Sequence, residues 1–356
     1  METKDFQPGI AIPPGETLQE ILDDIQMSQK ELAIRLGCTP KHVNNVIKGT
    51  VSLTHDFAIK LESVLNFPAQ FWMNLEQIYQ ETQTRLKALP EIEEETYLLD
   101  LIPYNEISKM GWVPSTKHPV EKIKYLRSFF RVASLDCVPN IHAVAFRKSE
   151  KFSAEEYALA TWITKAENQA REIDAEQYDR SKLIESLPTL KRLTTRPLKA
   201  SATELITICA SFGVAVVIIP HISKTHINGA TKWLPNNRAL VALSLKGSYE
   251  DIFWFTFFHE LGHVLQHKKS TIFIDIEQEE INKWETEADQ FALNTLVDNY
   301  SYTEFVKHEN YKNKAELRKF CEIQGIHPGI MVGRLMKDGY ISYSDLSYRD
   351  FRRRVN

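Results

Sequence analysis

With 356 residues, 43 % hydrophobic and 25 % charged, the chain is long enough for two or three domains and has an ordinary globular composition. A formal charge of −4 argues against a protein that coats nucleic acid by bulk electrostatics, though not against one small DNA-reading module with a local basic face. Cys38, Cys137, Cys209 and Cys321 have no paired spacing, Met1-Glu2-Thr3-Lys4-Asp5 opens no apolar signal region, and no run approaches the roughly 18 apolar residues of a bilayer span. The expectation is a soluble cytoplasmic protein with reduced thiols and no membrane partner.

Residues 1–16 read as an extended arm, because Ile12-Pro13-Pro14-Gly15-Glu16 delays helix formation. A first helix is expected over 17–25, with Leu18, Ile21, Leu22 and Ile25 inward. Ser28 with Glu31 three residues on reads as a capping box, and Gly37 ends that helix. Thr39 caps a third helix beginning at Pro40, which Gly49 stops. Two short helices joined at a glycine form a helix-turn-helix, with Ala33 as the small residue at their crossing. Val43, Val46 and Ile47 hold the second helix on the core. Lys41, His42, Asn44, Asn45 and Lys48 face outward without an acid among them, while Gln29 and Thr39 sit at helix starts where they could bond phosphates. The same face would also suit a helical packing module with no DNA role. Two more helices, 54–65 and 68–86, follow, the latter with an apolar stripe of Trp72, Met73, Leu75, Ile78 and Tyr79 for the core or a dimer surface.

Five helices in this order resemble the Cro/repressor-like (XRE) helix-turn-helix family. The Pro13-Pro14-Gly15-Glu16 start and the Phe67-Pro68-Ala69-Gln70-Phe71-Trp72 end are similar to its HigA-type antitoxin branch. The resemblance covers residues 10–85 and implies operator DNA as a partner and binding as a homodimer.

Leu89-Pro90-Glu91-Ile92-Glu93-Glu94-Glu95 reads as a charged, exposed break and the best domain boundary, and it could enter a protease site as an extended strand. Residues 96–200 read as mostly helical, with helices over 120–130, 154–172 and 181–192. The basic stretches Phe146-Arg147-Lys148-Ser149 and 192–196 carry no legible chemistry. From residue 200 the pattern changes to a helix over 203–212 and strands over 214–220, 226–233 and 238–245, the last two separated by Leu234-Pro235-Asn236-Asn237. Either of the last two strands could hold a substrate backbone by strand addition.

The sheet leads into Trp254-Phe255-Thr256-Phe257-Phe258-His259-Glu260-Leu261-Gly262-His263-Val264-Leu265-Gln266-His267. Residues four apart share a helix face, so His259 and His263 can aim two imidazoles at one metal ion beside Glu260, a base for a water proton. Downstream, Trp284, Ala288, Phe291, Ala292 and Thr295 mark a second amphipathic helix. On its other face Glu285 can supply a third ligand and Asp289 can orient a ligating imidazole, although Glu287 is a near-equivalent alternative to Glu285. A solvated acidic face is the bland alternative. His221, His226 and His267 could steady an oxyanion or be surface histidines. Further helices are expected over 302–308, 315–324 and 328–337; the turn at Gly325-Ile326-His327-Pro328-Gly329 resembles a second helix-turn-helix superficially and is expected to pack beneath the metal site.

The His259–His263 motif followed by Glu285-x-x-Ala288-Asp289-x-Phe291-Ala292 resembles the ImmA/IrrE family of gluzincin-like metallopeptidases. That resemblance implies zinc on His259, His263 and Glu285, Glu260 as catalytic glutamate, and cleavage of a protein partner such as a repressor or toxin-system component. The expected fold is mainly α with a small β-sheet (α+β). Its parts are a helix-turn-helix domain at 1–88, a helical linker region at 89–198 and a metallopeptidase domain at 199–356. The alternative to an enzyme is an antitoxin-like repressor whose zinc domain senses metal or binds a partner.

Overall fold

The computed structural model describes residues 9–142, 153–225, 227–245, 249–266 and 278–355. It is mainly helical with one small sheet, the expected α+β class, and it divides into two compact units, Met1–Glu94 and Glu95–Asn356.

The first unit contains α1 (Pro14–Asp24), α2 (Gln29–Leu36), α3 (Pro40–Ile47), α4 (His55–Leu65), α5 (Ala69–Lys87) and α6 (Leu89–Glu94). Leu18, Leu22, Leu32, Val43, Leu61 and Trp72 are fully buried at its centre. Helix α1 begins three residues earlier than expected, because proline suits the first helical position and Pro14 occupies it. Gly15 in that first turn lies against the backbone of Ile47, where any Cβ would collide. Ser28 accepts a hydrogen bond from Glu31 N–H, but the Glu31 carboxylate turns to Arg35 at 2.6 Å, so only half of the expected capping box forms. Gly37 ends α2 in the left-handed region at φ 69°. Ile25 and Ile78, expected inward, are 50 % and 61 % exposed: Ile25 is the C-cap of α1, and Ile78 lies off the buried line Trp72, Glu76, Tyr79 of α5. The stretch around residues 86–95 is no extended break. Helix α5 runs to Lys87, α6 follows at once, and Ile92 is buried, because each turn's backbone groups are satisfied within the helices.

The second unit opens on Glu95, a buried carboxylate gripped by Arg127 (2.7 Å), Ser134 Oγ (2.5 Å) and Leu135 N–H (3.2 Å). Its elements are α7 (Tyr104–Lys109), α8 (Pro119–Phe130), α9 (Val138–His142), α10 (Ala154–Ala170), α11 (Arg180–Leu193), α12 (Leu198–Ala210), β1 (Val214–Ile219), β2 (Gly229–Leu234), β3 (Arg238–Ser244), α13 (Glu250–Gln266), α14 (Gln278–Leu296), α15 (Asn299–Lys307), α16 (Lys314–Gln324) and α17 (Pro328–Lys337). The basic stretch at 146–149 lies outside the described residues. Residues 95–198 are largely helical and belong to this second unit, where α10 packs on β1 and β3.

The sheet order is β1-β3-β2, with β1 parallel and β2 antiparallel to β3. β1 and β3 are nearly continuous apolar runs, as strands covered on both faces must be. Val214, Val216, Ala239, Val241 and Leu243 share one core with Trp254, Phe257, Phe258 and Leu261 of α13. The C-terminal tail ties down the start of that helix. Arg352 Nη2 pairs with Asp251 Oδ2 at 2.6 Å, and Arg353 Nε with Glu250 Oε2 at 3.1 Å.

Candidate metal centre and helix-turn-helix face

His259 and His263 stand one turn apart on α13, with their Nε2 atoms 3.0 Å apart. Glu285 on α14 reaches the same point: Oε2 lies 3.2 Å from His259 Nε2, and Oε1 3.5 Å from His263 Nε2. Among the described residues, the donor atoms of this trio all fall within 4.8 Å of one another. Glu287 is outside the cluster, 3.9 Å from Lys283 Nζ. The two helices approach closely because Gly262 faces Ala288; a Cβ on Gly262 would stand 3.2 Å from Ala288 Cα. Asp289 Oδ1 lies 2.8 Å from His259 Nδ1, so that nitrogen donates its proton and the lone pair stays on Nε2, toward the cluster.

The donor set fits zinc. Donors on a tetrahedral zinc at about 2.0–2.1 Å stand about 3.3 Å from one another, and the edges of 3.0, 3.2 and 3.5 Å straddle that spacing. Burial pulls the His259 pKa down, but hydrogen bonding and charge from Glu285, Glu260 and Asp289 together outweigh it and leave the value raised.

Glu260 is buried, and Thr231 Oγ1 donates to its Oε2 at 2.7 Å. Burial pushes its pKa up to about 7, while the Thr231 hydrogen bond and His259 pull it back. A carboxyl group poised there can exchange protons near neutrality. Thr231 and Gly229 come from β2, and sequence reading singles out neither. Gly229 is needed because a Cβ would stand 2.7 Å from Glu260 Oε1. Of the two strands considered for substrate pairing, β3 lies between β1 and β2, which leaves β2 as the edge. His221 is hydrogen-bonded with Thr225 Oγ1 at 3.1 Å; His226 and His267 lie outside the described residues.

On the first unit, Thr39 accepts a hydrogen bond from His42 N–H at 3.2 Å and so caps α3. Lys41 and Lys48 are exposed, and Asn44 and Asn45 are half-buried. His42 packs edge-on against Phe57 at 5.2 Å, and Gln29 Nε2 donates to Gln19 Oε1 at 2.7 Å.

No family model matches the chain. The HTH-type transcriptional regulator YddM of Escherichia coli is 33 % identical over 66 residues, 18 % of this chain and 70 % of that protein. The chain belongs to the HTH-type transcriptional regulators. Virulence-associated protein I of Dichelobacter nodosus is also 33 % identical, over 70 residues covering 19 % of this regulator and 65 % of that protein. Among solved structures, antitoxin HigA of Pseudomonas aeruginosa with the higBA promoter is 32 % identical, covering 24 % of this regulator and 95 % of that chain, with a TM-score of 0.23. An addiction module antidote protein of a HigA family from Coxiella burnetii is 31 % identical, covering 24 % and 94 %, with a TM-score of 0.22. Among the described residues, no helix of this regulator is long and apolar enough to cross a membrane.

Proposed function

We propose that this regulator joins an operator-reading, antitoxin-like helix-turn-helix domain to a zinc endopeptidase of the ImmA/IrrE type that cuts a protein partner, a repressor or toxin-system component. The observation that carries the enzymatic half is the convergence of His259, His263 and Glu285 beside a buried, hydrogen-bonded Glu260. A closed structural site has no use for such a base. His259, His263 and Glu285 would hold the zinc, which when bound supplies Lewis acidity toward a peptide carbonyl and a water. Asp289 keeps the His259 proton on Nδ1. Glu260 takes a proton from water and returns it to the leaving amine. Strand β2, at the edge of the sheet among the described residues, would take an extended substrate backbone.

The test is metal content and cleavage together. The purified chain is expected to hold about one zinc; His263→Ala loses it, and Glu260→Gln keeps it but abolishes proteolysis of the partner. Glu285→Ala is expected to lose zinc where Glu287→Ala does not. Full metal retention by a His259→Ala, His263→Ala double variant would overturn the assignment, and zinc without proteolysis in the wild type would favour the sensing antitoxin instead.

For the DNA half, α3 presents Lys41, Asn44 and Asn45 with Thr39 at its start and Lys48 at its end, and no acid lies on the helix. The chain is expected to bind a palindromic operator as a homodimer. Asn45→Ala is expected to relax base preference at one position by about 1–3 kcal/mol, whereas Lys48→Ala weakens all sequences alike and lowers the salt dependence. A random-site selection that returns no consensus would remove this half.

A further inference from the structure

Two basic stretches lie far apart in a chain whose formal net charge is −4. Lys191-Arg192-Leu193-Thr194-Thr195-Arg196-Pro197-Leu198-Lys199 holds four cations and no acid, and Arg349-Asp350-Phe351-Arg352-Arg353-Arg354 holds four arginines and one acid. The fold lays one on the other. Arg353 Nη2 donates to the Thr194 carbonyl at 2.5 Å, and Nη1 to the Thr195 carbonyl at 3.2 Å. Glu250 joins the same two stretches, accepting Leu198 N–H at 2.8 Å and lying 3.1 Å from Arg353 Nε. Arg318 of α16 adds a further cation, its guanidinium 4.4 Å over the Phe351 ring. Three of the cations are matched within the fold: Arg352 with Asp251, Arg353 with Glu250 and Arg196 with Glu204. Arg192, Lys199, Arg349 and Arg354 are exposed, and none of them forms an ion pair among the described residues.

Like charges held side by side on a surface repel one another, and a polyanion that covers them relieves the repulsion. Arginine suits phosphate in particular, because its planar fork bonds two oxygens at once. The helix-turn-helix unit on the same chain would keep DNA at high local concentration for any second phosphate-binding face. We propose that this arginine face binds the phosphate backbone of DNA flanking the operator, without reading its bases. It is a second DNA contact, on the unit that also carries the metal cluster. The proposal rests on the DNA-reading half of the proposed function and goes beyond it: α3 supplies sequence preference, and the arginine face supplies affinity that falls with salt.

The test uses the full chain and two duplexes of equal length, one random in sequence and one carrying the operator found by random-site selection. Affinities are measured by fluorescence anisotropy over a series of salt concentrations. Arg192→Gln, Lys199→Gln, Arg349→Gln and Arg354→Gln are combined in one variant. It is expected to bind both duplexes at least about tenfold more weakly than wild type, with the operator-to-random ratio unchanged and the salt slope lower by about 2–4, since each phosphate neutralised contributes about 0.9. Each single glutamine substitution is expected to lower the slope by about 0.9, which keeps the test open should the combined variant not fold. Arg192→Lys, Arg349→Lys and Arg354→Lys together keep the charge and are expected to keep the wild-type slope. Unchanged affinity and slope in the glutamine variants would overturn the arginine face and leave α3 as the DNA reader. Asn45→Ala, expected to move only the operator-to-random ratio, tests that reader separately. A wild type that binds neither duplex overturns both. Tighter binding of polyglutamate or of phosphatidylglycerol vesicles than of the random duplex would assign the face to another partner and overturn the proposal.

Discussion

Glu260 takes its character from a residue 29 positions earlier, the Thr231 hydroxyl that donates to its buried carboxylate. Replacing threonine by valine keeps the shape and deletes that donor. Thr231→Val is therefore expected to retain about one zinc per chain while peptide hydrolysis falls about 10–100-fold, the usual cost of losing a group that orients a metal-site residue; Thr231→Ser recovers most of it. Undiminished hydrolysis by the valine variant would mean that Glu260 needs no such support. The same scale separates Glu285 from Glu287. On a bare helix the two acids differ by only two positions, and the sequence leaves both open. The Gly262–Ala288 crossing brings one face of α14 to α13, and Glu285 lies on that face. Among the DNA candidates, Lys41 and Lys48 are exposed, whereas His42 leans on Phe57 and Gln29 on Gln19, partners on other helices.

At the scale of elements, α16 and α17 show how far a local pattern carries. A glycine turn between two short helices is not unique to DNA readers: Gly325 turns left-handed at φ 68°, and His327 caps α17 by accepting Gly329 N–H at 3.1 Å. That helix buries Ile330, Met331, Val332 and Leu335 and packs on α13, the helix that carries His259 and His263. His327 is held neutral there. Burial, then the charges of Arg353 and Arg318, lower its pKa to about 4. The unfolded chain binds a proton at this histidine below about pH 6.5, and the folded chain refuses it down to about 4. Stability is therefore expected to decline as pH falls from about 6.5 toward 4, by about 1–2 kcal/mol after discounting for partial exposure. His327→Asn is expected to flatten that part of the curve in urea titrations at successive pH values. A variant that keeps the wild-type slope would place the titrating group elsewhere.

For the whole molecule, the division into Met1–Glu94 and Glu95–Asn356 predicts two unfolding transitions. Zinc held as proposed by His259, His263 and Glu285 would bind one folded unit, and is expected to raise only that transition, by about 4 kcal/mol at a thousandfold excess over Kd. Calorimetric scans with zinc and then with chelator check this, and His263→Ala is expected to lose the zinc-dependent shift while the other transition stays put. A single transition that moves as one would mean that the units unfold together.

Motif chemistry and helix periodicity are legible in the chain because each depends on residues within one or two turns: His259 with His263, Thr39 capping Pro40–Ile47, Gly37 ending Gln29–Leu36, and the apolar runs of β1 and β3. Proline at a helix start misleads a sequence reading, since the same residue ends one conformation and begins another. The 86–95 stretch reads as open chain because its charges conceal a buried Ile92 and a Glu95 gripped by Arg127. Tertiary structure alone decided which acid meets the histidines, which strand forms the edge, that Thr231 and Gly229 touch Glu260, and that the basic tail anchors Glu250 and Asp251. Each of these is a contact between residues far apart in sequence, fixed by how helices cross and strands pair, and no local pattern in the chain encodes that geometry.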